Sequence, residues 1–340
     1  MIVDEYPNNR ITIKGNSFLY FGGTDYLGIQ QHNDFISIIH QNLKKWGASF
    51  GSSRDNNIKL AIYDEFESYF ADFLNQESSV SVSSGTLAGY LVKEYYATKN
   101  VNSFHIHNSH PAIILPDSQV IFTDKTLHPD LVSNKKETVI ISSDAILALQ
   151  TATANFDFLD EIHHNKEVIL FLDESHSLGI LGINGQGISS NIKHPIIKQK
   201  IIISSLSKAY GVSGGILSSD TEFIETIKNL DIFSGAAGMN PAILQSVLDA
   251  KSIYIKQLKK LKHNLTYFYS KLPKLKDWNF TTNYPVIYYP KEFKEQFFKN
   301  SIITTNFKYQ NNEVNRIVIK ANHTIKDIDL LLDVILKTKK

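Results

Sequence analysis

A lysine and a carboxylate, each placed after a run of apolar residues, are the side chains in this sequence best suited to chemistry. Lys208 follows the apolar run at residues 201–203, and Asp173 ends the apolar run that begins at residue 168. A lysine amine can hold an aldehyde cofactor as a Schiff base, and a carboxylate can keep a pyridine nitrogen protonated so that the ring withdraws electrons. Most lysines are solvated surface residues, so Lys208 alone would mean little. The small residues that flank it and the matched acid favour the cofactor interpretation.

A glycine turn elsewhere in the chain could hold the phosphate of such a cofactor. A short apolar strand, Gly85 and a helix start follow one another there, and backbone N–H groups at a helix N-terminus bind phosphate well. Thr86 could add a hydroxyl, and Ser205, three residues before Lys208, could face the same phosphate. A glycine in such a turn is also common for steric reasons alone.

Histidines near these segments have more than one interpretation. His176 follows Asp173 by three residues and could hydrogen-bond the ring oxygen of the cofactor. His110 could stack on an aromatic cofactor from a loop. Alternatively, His105, His107 and His110 could bind a metal ion, because the first two share a strand face. Loop histidines without a role are equally common.

The composition excludes several classes of protein. The chain has 340 residues, enough for roughly two domains of ~150 residues. Its net charge of +1 gives no electrostatic reason to expect nucleic acid or a membrane as a partner. It has no cysteine, which excludes disulfides, thiolate zinc sites and a cysteine nucleophile. We see neither a signal peptide nor an apolar run of ~18 residues, so we expect a cytoplasmic protein.

Short apolar strands alternate with helical stretches through the middle of the chain. This alternation is typical of a largely parallel α/β sheet with helices on both faces. We expect seven strands, near residues 79–82, 104–107, 120–122, 138–142, 168–172, 201–204 and 214–217.

Segments at both chain ends predict a smaller second domain. Apolar alternation before residue 21 predicts a hairpin or edge strand, and helices are expected at about residues 33–46 and 241–272. Strands are expected at residues 286–289 and 317–319. Thr324 and Asp327 have capping-box spacing at the start of a last helix. We therefore predict a large domain at residues 47–245, flanked by a small domain made from residues 1–46 and 246–340.

Taken in order along most of the chain, these segments resemble the α-oxoamine synthases, a family of fold-type-I enzymes that depend on pyridoxal 5'-phosphate. Within the family, the pattern is most similar to the 8-amino-7-oxononanoate synthase type. The segment at 173–179 paired with that at 205–208 is specific, and the ordered set is more specific than any one piece. The matching segments are residues 24–28 (TDYLG), 51–54 (GSSR), 84–85 (SG), 109–112 (SHPA), 173–179 (DESHSLG), 205–208 (SLSK), 211–215 (GVSGG), 316–317 (RI) and 321–323 (ANH).

The resemblance implies a role for four residues that would carry the chemistry. Lys208 would form the imine with the cofactor and move the Cα proton of the substrate. Asp173 would pair with the pyridinium nitrogen, His176 would contact the phenolic oxygen, and His110 would stack on the ring.

The resemblance also implies which residues bind phosphate and substrate. The phosphate would be held by Ser84, Gly85, Thr86 and Ser205. Arg316 would bind the carboxylate of the amino acid as a bidentate fork, and Thr24 would lie at the substrate. Thr24 stands where the family has asparagine, and residues 146–150 stand where the family has the sequence F-S-M-D-G-D.

The family reaction joins an amino acid to an acyl-CoA, usually with decarboxylation, in a homodimer with the active site at the subunit interface. The resemblance therefore implies a pyridoxal-phosphate-dependent acyltransferase that acts on small molecules. Two alternatives stay open. One is an aminotransferase, or another amino-acid enzyme, on the same scaffold. The other is a metal-dependent hydrolase that uses His105, His107 and His110.

Overall fold

The computed structural model describes residues 1–309 and 312–338. In this part of the chain the strands are β1 (Arg10–Ile13), β2 (Asn16–Phe21), β3 (Ser78–Val82), β4 (Asn102–His105), β5 (Gln119–Val120), β6 (Phe122–Thr123), β7 (Thr126–Leu127), β8 (Glu137–Asp144), β9 (Lys166–Asp173), β10 (Ile197–Ser205), β11 (Gly215–Ser219), β12 (Asn279–Phe280), β13 (Val286–Tyr288), β14 (Ile302–Tyr309) and β15 (Asn312–Val318).

The α-helices of the same residues are α1 (Asn33–Trp46), α2 (Ala61–Leu74), α3 (Gly85–Ala97), α4 (Pro129–Val132), α5 (Thr221–Lys228), α6 (Asp231–Gly235), α7 (Pro241–Asp249), α8 (Lys251–Lys271), α9 (Glu292–Lys299) and α10 (Ile325–Thr338). Short 3-10 helices lie at Asp157–Glu161, Ile183–Gly185 and Ser189–Asn191. None of the helices in the described ranges is long and apolar enough to cross a membrane.

The larger sheet of the described residues has seven strands in the order β3-β11-β10-β9-β8-β4-β5. The run from β10 to β5 is parallel, and β11 is antiparallel to both of its neighbours. Along β10, Ile201 and Ile203 face one apolar cluster whereas Ile202 faces another. Because successive side chains point to opposite faces, both faces of this sheet are covered. The predicted mostly parallel α/β sheet is confirmed.

The smaller sheet joins the two ends of the chain. Its strand order among the described residues is β1-β2-β14-β15-β13-β12. The N-terminal hairpin pairs Ile11 with Phe18, as the apolar alternation indicates, and β2 then lies parallel to β14. Strand β14 was not predicted from the sequence. The domain boundaries at residues 46 and 245 stay a prediction.

The prediction of one long helix at residues 241–272 is wrong, because the chain forms two helices there. Helix α7 ends at Asp249 and α8 begins at Lys251, with Ala250 at φ −93° and ψ 11° between them. The two pieces have different partners: α7 packs against α1 and α2, whereas α8 packs against α10. The side-chain amide of Asn42 in α1 donates to the carboxylate of Asp249 at 2.9 Å, which fixes the end of α7.

The capping box at the start of α10 is present. The backbone N–H of Thr324 donates to Oδ2 of Asp327 at 2.9 Å, and the N–H of Asp327 donates to Oγ1 of Thr324 at 3.2 Å. These reciprocal bonds satisfy N–H groups that a helix start leaves without intrahelical partners. The cap thereby fixes the start of the last helix, which packs against α8 and α9.

We predict that Thr324→Ala lowers the free energy of unfolding by about 1 kcal/mol, the usual cost of losing a threonine cap. The measurement is the midpoint of urea unfolding followed by circular dichroism. Thr266→Ala is the matched control, because Thr266 is exposed within α8 and bonds only to the Lys262 carbonyl of its own helix. An equal shift in both variants would contradict the capping role.

Candidate functional site

Three parallel strands bring the predicted site residues to one edge of the larger sheet. Asp144 ends β8 and lies directly beside Asp173, which ends β9, and Asp173 lies beside Ile203 of β10. Lys208 follows β10 in a loop that turns back to β11. That loop is closed by hydrogen bonds from Leu206 N–H to the Gly214 carbonyl, at 2.9 Å, and from Val212 N–H to the Leu206 carbonyl, at 3.1 Å.

The amine of Lys208 interacts with both acids at this edge. Burial lowers the pKa of Lys208 below its ordinary value of 10.5, and the positive charge of Arg316 acts in the same direction. The carboxylates of Asp173 and Asp144 oppose this change. A lysine with a lowered pKa is more often a neutral amine, which is the form that can attack an aldehyde or accept a proton.

Backbone N–H groups fix one oxygen of each acid. Oδ1 of Asp173 accepts from the N–H of Ser175 at 2.7 Å, and Oδ2 of Asp144 accepts from the N–H of His110 at 2.6 Å. Both carboxyl groups are nearly buried, with 7% of Asp173 and 6% of Asp144 exposed. Their positions are therefore set by the main chain rather than by solvent.

His110 offers a free ring face. Its Nδ1 accepts the N–H of Ala112 at 3.1 Å, so in the neutral ring the proton lies on Nε2. The residue is exposed, and it lines a cavity of about 180 Å³. Its neighbour Asn108 has a φ of 68°, a left-handed turn that asparagine tolerates well and that sets the course of the loop. A planar ring in the cavity could stack on this imidazole.

A buried tyrosine pair orients His176. The hydroxyl of Tyr26 is hydrogen-bonded to Nδ1 of His176 at 2.8 Å, and the hydroxyl of Tyr284 donates to the His176 carbonyl at 3.1 Å. Burial raises the pKa of Tyr26 to about 12. Burial also lowers the pKa of His176 well below its ordinary value, and Lys208, Arg316 and His110 add to this. With Tyr26 as the donor, neutral His176 keeps its proton on Nε2 and can donate it to an oxygen in the site.

The turn at Gly85 forms a cradle next to Ser205. A Cβ on Gly85 would lie 2.8–2.9 Å from atoms of Ser205, so only glycine permits this approach. Ser84 caps α3 by accepting from the N–H of Leu87 at 3.1 Å. The N–H groups of Gly85 and Thr86, in the first turn of α3, have no acceptor within the helix. This is the arrangement that binds phosphate at a helix N-terminus, and the hydroxyl of Ser205 lies beside it.

Arg316 enters the cavity from the smaller sheet. Its Nη2 donates to the Gly23 carbonyl at 3.4 Å, and its guanidinium lies 5.4 Å from the ring centre of Phe307. Its buried Nε has no hydrogen-bond partner among the described residues. A guanidinium that lines a cavity and has few protein partners is suited to a carboxylate ligand.

The predicted site residues do not all line this cavity. Among the described residues, the lining includes His110, His176 and Arg316, whereas Lys208 and Asp173 adjoin it through the interactions described above. Thr24 is not among the described residues that line it. Its role at the substrate stays a prediction.

The metal alternative finds no support in the geometry. Nδ1 of His105 is hydrogen-bonded to the Ser118 hydroxyl at 3.0 Å, away from His110. Residues 1–309 and 312–338 contain no group of three or more histidine, aspartate or glutamate side chains arranged to hold a metal ion.

Sequence reasoning missed two residues of the site, Asp144 and Tyr26. Asp144 follows an apolar run just as Asp173 does, so the same signal was available, although Ser142 and Ser143 interrupt the run. Tyr26 lies in the segment that matches the family at residues 24–28, but no local pattern indicates its contact with a histidine 150 positions away.

Curated relatives match most of the chain. An 8-amino-7-oxononanoate synthase from Petrotoga mobilis is 25% identical over 95% of this chain and 88% of its own length. A serine palmitoyltransferase from Sphingobacterium spiritivorum is 25% identical over 75% of this chain and 66% of its own length. Both names belong to α-oxoamine synthases, so the predicted resemblance is confirmed.

Solved structures show the same fold. A serine palmitoyltransferase from Sphingomonas wittichii has a TM-score of 0.82 at 15% identity and covers 99% of this chain and 91% of its own. An 8-amino-7-oxononanoate synthase from Francisella tularensis has a TM-score of 0.70 at 22% identity and covers 94% of this chain and 97% of its own.

The family model for aminotransferase class I and II matches residues 151–335, which include Asp173, His176, Lys208 and Arg316. The cradle at Gly85 fits the phosphate of pyridoxal 5'-phosphate. Asp173 and Lys208 fit its pyridine nitrogen and its aldehyde, and the free face of the His110 ring fits its aromatic ring. The chain therefore belongs to the aminotransferase class I and II family, and the predicted pyridoxal-phosphate-dependent transferase is confirmed at this level.

Proposed function

We propose that this chain is an acyltransferase that condenses an amino acid with an acyl-CoA, with decarboxylation, as an enzyme of the 8-amino-7-oxononanoate synthase type. The observation that carries the proposal is the position of Arg316. The Arg316 side chain lines the same cavity as His110 and His176, its Nε has no hydrogen-bond partner among the described residues, and its positive charge acts on Lys208. An amino acid whose carboxylate binds Arg316 would thus have its Cα near the lysine amine.

Each residue has a distinct task in this proposal. When bound, pyridoxal 5'-phosphate supplies a ring that withdraws electrons from the Cα of an amino acid. Lys208, with its lowered pKa, takes the proton from Cα. Asp173 would hold a proton at the ring nitrogen, and His176 could donate its Nε2–H to the ring oxygen. His110 would stack on the ring and limit the access of water to it.

Arg316 orients the substrate as well as binding it. Tyr288 lies directly opposite Arg316 on the neighbouring strand. The Gly23 carbonyl accepts a hydrogen bond from Nη2, and the ring of Phe307 lies 5.4 Å from the guanidinium, so the side chain has little freedom. A carboxylate held by a fixed guanidinium fork has a defined direction. This geometry would place the Cα–H and Cα–carboxylate bonds at fixed angles to the ring.

We also propose a homodimer with the active site at the subunit interface, in the cytoplasm. The support is the exposure of His110, Thr86 and Ser207, which belong to the proposed site or adjoin it. Elsewhere on the surface, the large side chains of Tyr90 and Ile58 are 48% and 59% exposed. A second copy would cover these surfaces, and light scattering of the purified protein would measure the mass of the assembly.

An aminotransferase is the second candidate, and the family match at residues 151–335 favours it. Both candidates use Lys208 and Asp173, and they differ in the second substrate. An acyltransferase releases free CoA thiol, whereas an aminotransferase passes the amino group to a keto acid.

The experiment that tests the proposal is a panel of amino acids and acyl-CoAs scored by release of CoA thiol. We predict release with at least one pair, and a loss of at least about a thousandfold in Lys208→Ala, because the amine is the proposed proton acceptor. Borohydride reduction followed by mass spectrometry should place the cofactor on the peptide that contains Lys208. Lys200→Ala is a control, because the amine of Lys200 donates to the Ser189 carbonyl and does not line the cavity.

Amino-group transfer to a keto acid without CoA release would overturn the acyltransferase proposal and favour the aminotransferase. A reduced adduct on any lysine other than Lys208 would overturn the assignment of the cofactor site itself.

We predict that Arg316→Gln raises KM for the amino acid about tenfold to a hundredfold, because a charged hydrogen bond to a carboxylate contributes about 1.5–3 kcal/mol. The affinity for pyridoxal 5'-phosphate should change little. Arg10→Gln is the control, because Arg10 is half exposed and pairs with Asp327 at 3.6 Å. If KM stays at the wild-type value, the carboxylate binds elsewhere.

We predict that Gly85→Ala weakens binding of pyridoxal 5'-phosphate at least about fivefold, because the added methyl group overlaps Ser205 and overpacking costs about 1–3 kcal/mol. The measurement is the dissociation constant from a titration of visible absorbance. Gly235→Ala is the matched control, because a Cβ there meets nothing within 4 Å. Equal affinity in both variants would show that the cradle does not hold the phosphate.

A further inference from the structure

The carboxyl of Asp144 is a buried titratable group that the proposed chemistry does not use. It lines the cavity and lies directly beside Asp173 in the parallel register of β8 and β9. Neighbouring side chains in that register point to the same face of the sheet. The two acids therefore form a close pair at the edge where the cofactor ring would lie.

Two adjacent buried carboxyl groups are rarely both ionised, because each negative charge disfavours the other. One oxygen of Asp173 is held by the Ser175 N–H, and one oxygen of Asp144 is held by the His110 N–H. The pair also faces the amine of Lys208, which interacts with both acids. A proton on one of the two acids would remove this repulsion.

We propose that Asp144 and Asp173 form a carboxylate pair that carries one proton and one negative charge, in which Asp144 holds the proton and positions His110. Asp173 is then the ionised member that can pair with a ring nitrogen. Asp144 is a positioning residue, since it acts through the backbone of His110 and through the charge of Asp173. This inference rests on the proposed cofactor site.

The electrostatics of Asp144 agree with this assignment. Burial, and then the charge of Asp173, raise the pKa of Asp144 well above its ordinary value of 3.8. The N–H of His110 and the charge of Lys208 oppose the increase. Asp173 faces Asp144 from β9, His110 from the loop after β4, and Lys208 from the loop after β10.

The position of His110 depends on its hydrogen bond to Asp144. The His110 N–H donates to Asp144 at 2.6 Å, and the His110 side chain is held two residues further on by the Ala112 N–H. Loss of the Asp144 oxygen would leave a main-chain donor without its partner. The ring that stacks on the cofactor would then lose its fixed position.

The first test compares Asp144→Asn with the wild type in thermal stability, without cofactor. A group whose pKa is raised on folding stabilises the protein fully below its unfolded pKa of 3.8, and that contribution is lost as pH rises through the folded value. Asparagine imitates the protonated acid at every pH. The Tm of Asp144→Asn minus that of the wild type should therefore increase between about pH 5 and pH 8.

The second test measures the affinity for pyridoxal 5'-phosphate by visible absorbance. Asp144→Asn should bind within about twofold of the wild type, because the amide oxygen still accepts the His110 N–H. Asp144→Ala should bind about tenfold more weakly, because it removes one hydrogen bond from the His110 loop. Ser143→Ala is the control for the strand, since Ser143 points to the opposite face and donates only to the Asp144 carbonyl, at 2.9 Å.

A Tm difference that stays flat over this pH range would overturn the proposal, because Asp144 would then be ionised throughout. The proposal would also be overturned if Asp144→Asn weakened binding of pyridoxal 5'-phosphate as much as Asp173→Asn does. Both acids would then act as anions. If the wild type does not bind pyridoxal 5'-phosphate, the proposed function fails, and the stability comparison still decides the state of the pair.

Discussion

The parallel register of β8, β9 and β10 is the constraint on which the site depends. Parallel strands end at one edge of a sheet, so the residues that follow them meet there without any local signal between them. Asp144 and Asp173 lie side by side for this reason, and the loop of Lys208 begins two strands away from Asp144. The strands themselves are apolar because both sheet faces are covered. The charges at the edge are thus surrounded by low-dielectric material, which makes their mutual interactions strong.

A third buried acid, Glu174, packs behind this edge. Glu174 follows Asp173 and points into the scaffold, where its Oε1 accepts the N–H groups of Ile188 and Ser189 at 2.8 and 2.6 Å. A Cβ on Gly187 would lie 2.5 Å from the same carboxyl group, so the chain packs directly onto it. Of two consecutive acids, one therefore serves the site and the other fixes the loop that carries His176. Together with the hydrogen bonds from Tyr26 and Tyr284, this packing keeps His176 oriented in the cavity wall.

The sequence predicted the central sheet well, because long apolar runs with regular spacing specify parallel strands. It also singled out Lys208 and Asp173, since each follows such a run; the structure brings both to one sheet edge, and their roles stay predictions. Strand β14 and the break at Ala250 were missed, because they depend on partners that are distant in the chain. The contact of Tyr26 with His176 has the same origin. Local patterns identify strand ends, and only the folded chain shows which of them meet.

The cofactor side and the substrate side of the cavity are built from different kinds of sequence. The proposed cofactor residues His110 and His176 lie in segments that match the family, whereas another part of the cavity wall, residues 146–150, departs from it. In that wall Leu149 has a φ of 61°, an unfavourable conformation for leucine. The side-chain amide of Asn279 donates to the Leu149 carbonyl at 3.0 Å and ties this turn to the smaller sheet. Since Arg316 also comes from the smaller sheet, this part of the cavity depends on how that sheet meets the larger one. A change at Arg316 would also be felt by the lysine, because the positive charge of Arg316 lowers the pKa of Lys208.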